Sequence, residues 1–304
     1  MPKSEKKNPW ISLAVIFAVV VLIGMVFVSC LTAGSKDSPI NGNVAEIELN
    51  GEITADGGSL LSPGLSSDEV VGFIKDANDN PQIKAILLRI NSPGGSPVAS
   101  EEIMTAVKNS SKPVVALIRD EGASGAYWVA SAADGIVASP VSITGSIGVL
   151  GSTVEISGLM QKYGIGYERL VAGQYKDAGI PFRNLTPEEQ KLLQERIDLI
   201  YDYFVRSVAE NRHMDYNYTK SLATGIFYTG EQAKQLGLVD KLGGEAEAEQ
   251  MLKEKSGVKE VNLVKYRRQV SLFDVFAKAI SYYGYSLGSG LGNALVKDQF
   301  AIKT

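Results

Sequence analysis

"IKAILLRINSPGGSP", Ile83 to Pro97, decides the architecture. Its first eight residues form a continuous apolar run with one arginine, Arg89, near the end. The run is short and rich in branched side chains, so it reads as a strand buried on both faces. "NSPGG" then turns the chain, and Pro97 stands where a helix over 97–109 begins. Buried strand, glycine turn and helix make the repeating unit of a layered α/β fold with a mostly parallel sheet.

The same unit recurs on either side. Upstream, "VAEIELNGEI" (44–53) alternates apolar and polar residues as a half-buried strand does, and "GGSLLSPGLSS" is a loop. Ser67 caps a helix reaching about Ala77. Downstream, "PVVALI" (113–118) is a strand, Ser124 opens a helix through about Ala133, and a short strand covers 135–138. In "TPEE", Thr186 is the cap, Pro187 the first helical residue and Glu189 the closing member of a capping box, for a long helix over 186–212. "YTGEQAKQLGLVDKLGG" reads as helix, glycine-ended turn and short strand, with a last helix over 244–255. Internal repeats and low-complexity stretches are absent from the sequence.

Composition limits the function classes. The 304 residues are 45% hydrophobic and 21% charged, as in an ordinary globular protein, and the net charge of −4 gives no basis for a nucleic-acid partner. A single cysteine, Cys30, excludes an intramolecular disulfide and a cysteine-rich metal site. It reads as an apolar-helix residue, and the bulky Phe27 three positions earlier fits a lipid-attachment signal poorly. Metal-ligand spacing and a phosphate-loop glycine signature are both missing, so neither metal nor cofactor is expected.

The N-terminus carries its own signal. Ile11 to Leu31 is a stretch of 21 residues, almost all apolar, long enough to span a bilayer as a helix. Lys3, Lys6 and Lys7 precede it, which places the N-terminus in the cytoplasm and the bulk of the chain outside, with Trp10 at the interface. A cleaved signal peptide is the competing reading, but its apolar region is usually shorter. The expected organisation is therefore a stub and single-pass anchor (1–35), beginning a linker at 33–43, then an extracytoplasmic body (36–255) and a tail (256–304). From Lys36 onward the net charge is −6, yet the tail holds seven basic and three acidic residues. Leu272, Phe276, Ala279, Ile280, Tyr283 and Leu287 in that tail fall at helical spacing, as an amphipathic helix for subunit packing or a membrane surface.

The candidates for chemistry are ambiguous one by one. Adjacent Gly94 and Gly95 expose backbone N–H groups that could hold an oxyanion, but such pairs also serve simply as turns. Ser124, in "EGASGAYWVASAAD" (121–134), is either a helix cap or a nucleophile flanked by small residues. The single histidine, His213, sits in polar "ENRHMDY", which leaves no Ser-His-Asp arrangement.

Taken in order, "INSPGG", "ASGAYWVASAAD", "ITGSIGVLG" and "AGQYKDAG" resemble the signal peptide peptidase A family, membrane-anchored serine peptidases of bacteria with a ClpP/crotonase-like fold of repeated ββα units. The resemblance runs from about Val44 to Met251. It implies that Ser124 is the nucleophile, that Lys176 of "YKD", 52 positions on, is the general base, and that Ser146 of "TGS" helps orient it. Ala126 stands where the family often has a second glycine, a small change that keeps the N–H. A lysine base must be neutral, so its amine needs a pocket that lowers its pKa, for which the surroundings of Tyr127 and Trp128 are candidates. The backbone N–H groups of Gly95 and Gly125, with Gly94 as runner-up, are expected to form the oxyanion hole. The resemblance further implies signal-peptide remnants and similar apolar peptides as substrates, a bacterial inner-membrane location, and a ring-shaped homo-oligomer whose neighbours share sites. A related protease acting on other membrane proteins, a crotonase-type acyl-CoA enzyme and a non-catalytic scaffold are the alternatives.

Overall fold

The computed structural model describes residues 42–59 and 62–267. The expected anchor at 11–31, Cys30, and the amphipathic pattern at 272–287 lie outside them. Among the described residues, no helix is long and apolar enough to cross a membrane.

One sheet of eight strands organises the body: β1 (Val44–Asn50), β2 (Ala85–Ser92), β3 (Val114–Ala123), β4 (Gly135–Ala138), β5 (Ile143–Gly145), β6 (Phe227–Thr229), β7 (Lys241–Leu242) and β8 (Leu263–Tyr266). Its order is β6-β5-β3-β2-β1-β8, with β4 also beside β3 and β7 beside β4. Every pairing is parallel except β5 with β6. The helices are α1 (Ser67–Asp79), α2 (Pro97–Lys108), α3 (Gly125–Ser131), α4 (Ser157–Lys162), α5 (Pro187–Asn211), α6 (Tyr216–Leu222), α7 (Gly230–Gln235) and α8 (Glu245–Ser256).

The two faces of the sheet follow the period-two alternation of strand side chains. Ile86, Leu88 and Ile90 of β2, and Val114, Ala116 and Ile118 of β3, join the core with α1, α2, α3 and α5. Ala85, Leu87, Val115 and Leu117 face the other way, against Ala248, Met251 and Leu252 of α8. Central parallel strands are covered on both sides, which is why "IKAILLRI" lacks alternation. β1 differs from its expected half-buried character. Lying between β2 and β8, it buries even Glu46, to 3% exposure, where Arg89 Nε pairs with Glu46 Oε1 at 2.8 Å.

β3 runs five residues past its sequence-based end at 118. Its first half pairs with β4 and its last three residues with β5. Against β2, the register passes from Ile90↔Ile118 to Ser92↔Gly122, so four steps on β3 face two on β2. That bulge absorbs "RDE" and carries the chain across from one partner to the other. Polar residues in a bulge look like a loop in the sequence, which is why the apolar pattern ends at 118. α1 is capped by the Ser66 side chain, accepting from Glu69 N, one residue before the expected Ser67. α5 begins as expected, with Thr186, Pro187 and Glu189 forming the capping box. Beyond Ser256, in the segment expected as a tail, β8 extends the sheet beside β1, and Asn43 N donates to Asn262 O at 2.9 Å.

Candidate active site

Ser124 is the hinge residue between β3 and α3. Its φ of 52° and ψ of −124° lie outside the regions comfortable for a side chain, and its hydroxyl caps no N–H of α3. Such a strained strand-to-helix turn presents a serine side chain at the end of a sheet, as in a nucleophile elbow. The conformation is fixed from both sides. Ser124 N donates to Gly145 O at 2.8 Å, and Ser124 O accepts from Trp128 N at 3.0 Å. Behind it, Ala126, Tyr127, Val129 and Ala130 are fully buried. Tyr127 Oη donates to Leu238 O at 2.9 Å, burial pushes its phenol well above the usual tyrosine range, and Trp128 stacks on Phe204.

The glycines of "NSPGG" lie against this turn. Gly94 has φ 98°, and a Cβ there would sit 2.6 Å from Gly125 N and 3.0 Å from Ser124 Cβ. A Cβ on Gly95 would strike Ile53 O at 2.0 Å, and one on Gly125 would meet Ser100 Oγ at 2.2 Å and Gly95 N at 3.3 Å. Only glycine permits this closeness of backbones. Gly94 N donates to Ser92 Oγ at 3.2 Å. The N–H groups of Gly95 and Gly125, the latter the first residue of α3, have no partner among the described residues.

Ser124 and Ser146 open on one pocket of about 610 Å³. Ser146 also has a left-handed backbone, φ 51°. Its N–H donates to Ile226 O at 3.2 Å and its hydroxyl to Gly225 O at 3.1 Å. Val149 and Leu150 form one wall. Gln194, Ile197, Asp198 and Tyr201 of α5 form the other, with Asp198 the one charged side chain among them. Gln194 Nε2 donates to Asp198 Oδ1 at 2.8 Å. These α5 residues are not among the candidates drawn from sequence. Their spacing of three and four along one helix is the signal that could have found them.

Lys176 is not in that pocket. It is exposed, its N–H donates to Gly173 O at 3.1 Å, and its amine has no hydrogen bond or ion pair among the described residues. Tyr127 and Trp128, proposed as the surroundings that would neutralise it, lie inside the core instead. Asp177 is not its partner either. The carboxylate of Asp177 accepts from Arg169 Nε and Nη2 at 2.7 and 2.8 Å, and from Arg183 Nε and Nη2 at 2.9 and 3.0 Å. Arg183 also donates to both oxygens of Glu189, at 2.8 and 2.6 Å. Arg169, then Arg183, hold the Asp177 carboxyl far below the usual carboxylate range. Arg183 and the Thr186 backbone hold Glu189 at about 2. The pairing raises Arg183 in turn, through Glu189 first and Asp177 second.

The structure thus gathers Ser124, Ser146, Gly94, Gly95 and Gly125 in one place and leaves Lys176 on a separate turn. His213 is exposed, with φ 54°. Residues 106–259 match peptidase family S49. The chain is 37% identical over 301 residues to a protein named as a protease in Methanocaldococcus jannaschii, covering 95% of both chains. It is 33% identical to a protein named as signal peptide peptidase SppA in Enterococcus faecium, over 78% of this chain and 71% of that one. It is 35% identical to Protease 4 of Salmonella typhi, over 77% of this chain but 38% of that longer one. With a half-buried serine that lines a pocket at a strained strand-to-helix turn, and with these matches, the chain belongs to the S49 family of serine peptidases, the signal peptide peptidase A group.

Proposed function

We propose that this peptidase cleaves apolar peptides, signal-peptide remnants among them, with Ser124 as nucleophile and Lys176 of a neighbouring copy as general base. The observation that carries the reading is Ser124 itself, strained, open to the pocket, and flanked by the unpartnered N–H groups of Gly95 and Gly125. Ser124 Oγ attacks the substrate carbonyl as its proton passes to the neutral Lys176 amine. The carbonyl oxygen becomes an oxyanion between the Gly95 and Gly125 N–H groups. Gly94, whose N–H is already given to Ser92 Oγ, is a poorer donor. The intermediate collapses, the C–N bond breaks, and the leaving amine takes the proton from Lys176. Water then releases the acyl group by the same steps in reverse order. Ser146, which lines the same pocket as Ser124, would hydrogen-bond the incoming amine.

A base from a second copy suits the arm that bears Lys176. Leu150, Leu159, Tyr163 and Leu170 are more than half exposed there, an apolar surface that a monomer has little use for. Ring assembly, with the body held outside a bacterial cell membrane by residues 11–31, is the arrangement this reading implies. Val149, Leu150, Ile197 and Tyr201 give the pocket an apolar lining for a peptide side chain.

The test is hydrolysis of a synthetic signal peptide and of casein by the full chain in detergent, beside Ser124→Ala and Lys176→Ala. Both variants are expected to fall to background while keeping their fold and assembly. Substantial activity in Lys176→Ala would remove lysine from the mechanism, and activity in Ser124→Ala would remove the serine.

A further inference from the structure

The three residues 175–177 are tethered in alternation. Tyr175 Oη donates to Glu188 Oε1 at 2.5 Å, and Asp177 reaches Glu189 through Arg183. Both tethers end in the first turn of α5, the helix whose middle walls the Ser124 pocket. Lys176, between them, is tied to nothing by its side chain among the described residues. Asp177 is 6% exposed, although residues 150–175 around it are nearly all open to solvent. Its two arginines come from either side in sequence, eight residues before and six after, and each grips it with two N–H groups. The turn is therefore closed at both ends by fork-on-carboxylate contacts, the most directional ion pairs available to side chains.

We propose that Asp177 is a positioning residue for the Lys176 base: clamped by Arg169 and Arg183, it fixes the turn that aims Lys176 and keeps its own carboxylate away from the Lys176 amine. The inference rests on the reading of Lys176 as base. The second half of the role is electrostatic. A carboxylate paired with Lys176 would hold the proton on the amine, the reverse of what a general base needs. Arg169, Arg183, Asp177 and Glu189 instead sum to zero charge, so the clamp gives rigidity without a field that keeps the lysine protonated.

The experiment compares kcat and KM of the full chain in detergent with Asp177→Asn, Arg169→Gln and Lys176→Ala, on one apolar peptide substrate. Loss of aim without loss of binding predicts a fall in kcat of about 10- to 100-fold for Asp177→Asn, with KM changed less than about twofold. Arg169→Gln removes one of two forks from a half-exposed position and should lower kcat by about three- to tenfold. The titratable groups tied to this turn are Tyr175, Glu188 and the four clamp residues. Asp177→Asn leaves them one unit more positive, so the limb on which activity rises with pH moves to lower pH. A carboxylate with no bearing on the Lys176 amine would leave that limb in place. Wild-type kcat and an unmoved limb in Asp177→Asn overturn the proposal. If Asp177→Asn does not fold, an unchanged kcat in Arg169→Gln overturns it. Activity retained by Lys176→Ala overturns the base assignment beneath it, whatever the clamp variants do.

Discussion

Around Ser124 the chain is finished. Tyr127 and Ala130 are fully buried, and the neighbouring glycines leave no room for a single methyl group. Around Lys176 it is unfinished. Leu170 is 94% and Leu150 87% exposed, and the order there comes from ion pairs rather than from a core. Ser124, the proposed nucleophile, is held by the burial of its neighbours, which one chain can supply to itself. Lys176, the proposed base, sits beside a local clamp on an apolar arm, which on that proposal waits for a second surface. On the proposed reading, that division explains how an isolated chain can be folded and yet not catalytic.

The sharpest way to break this contrast is complementation. Ser124→Ala and Lys176→Ala chains, each inactive, are co-expressed under different tags and purified as mixed assemblies. If base and nucleophile come from neighbours, random head-to-tail pairing restores about a quarter of the wild-type activity. If both come from one chain, none returns. Next in size are the two packing tests. Phe204→Ala, which strips the partner of Trp128 from the buried half, should cost about 3–5 kcal/mol in chemical unfolding. Gly125→Ala should cost about 1–3 kcal/mol through its collision with Ser100, and adding Ser100→Ala should recover part of that. Ser100 Oγ is buried without a partner, so Ser100→Ala alone should be neutral or mildly stabilising. Leu170→Ser should change the stability of the dissociated chain by under about 0.5 kcal/mol, while lowering the assembled mass seen by sedimentation.

The clamp has its own pH signature. Its carboxyl groups are depressed, so their contribution is present above their unfolded values and is lost as pH falls through the folded ones. Proteolysis of the arm should be constant from pH 8 to pH 5. It should rise between about pH 4.5 and about pH 2, the window set by Glu189. Arg183→Gln, by returning Glu189 toward its ordinary value, should narrow that window.

What the sequence made legible was local. The buried run before "NSPGG", the Thr186 capping box and the serine opening a helix each depend on a few consecutive residues, and each is where it was expected. The far end of β3 was hidden because a bulge tolerates "RDE" in the middle of a sheet. Burial of Glu46 was hidden because it depends on Arg89, 43 positions away, on the next strand. The clamp was hidden for a related reason. Arg169, Asp177, Arg183 and Glu189 carry no periodicity, and "KD" invites pairing the lysine with its neighbour. Only the folded arm shows that two arginines already occupy that carboxylate.

β8 has a consequence for biosynthesis. It lies parallel to β1, the first strand of the described body, although the two are more than 200 residues apart. A nascent chain therefore exposes the open edge of β1 until Tyr266 has left the ribosome. Unpaired apolar edges recruit other chains. A fragment ending at Ser256 keeps Ser124 and the whole clamp, but it would be permanently in that exposed condition. Such a fragment should come out of cells as inclusion bodies, and one ending just beyond Tyr266 should stay in solution.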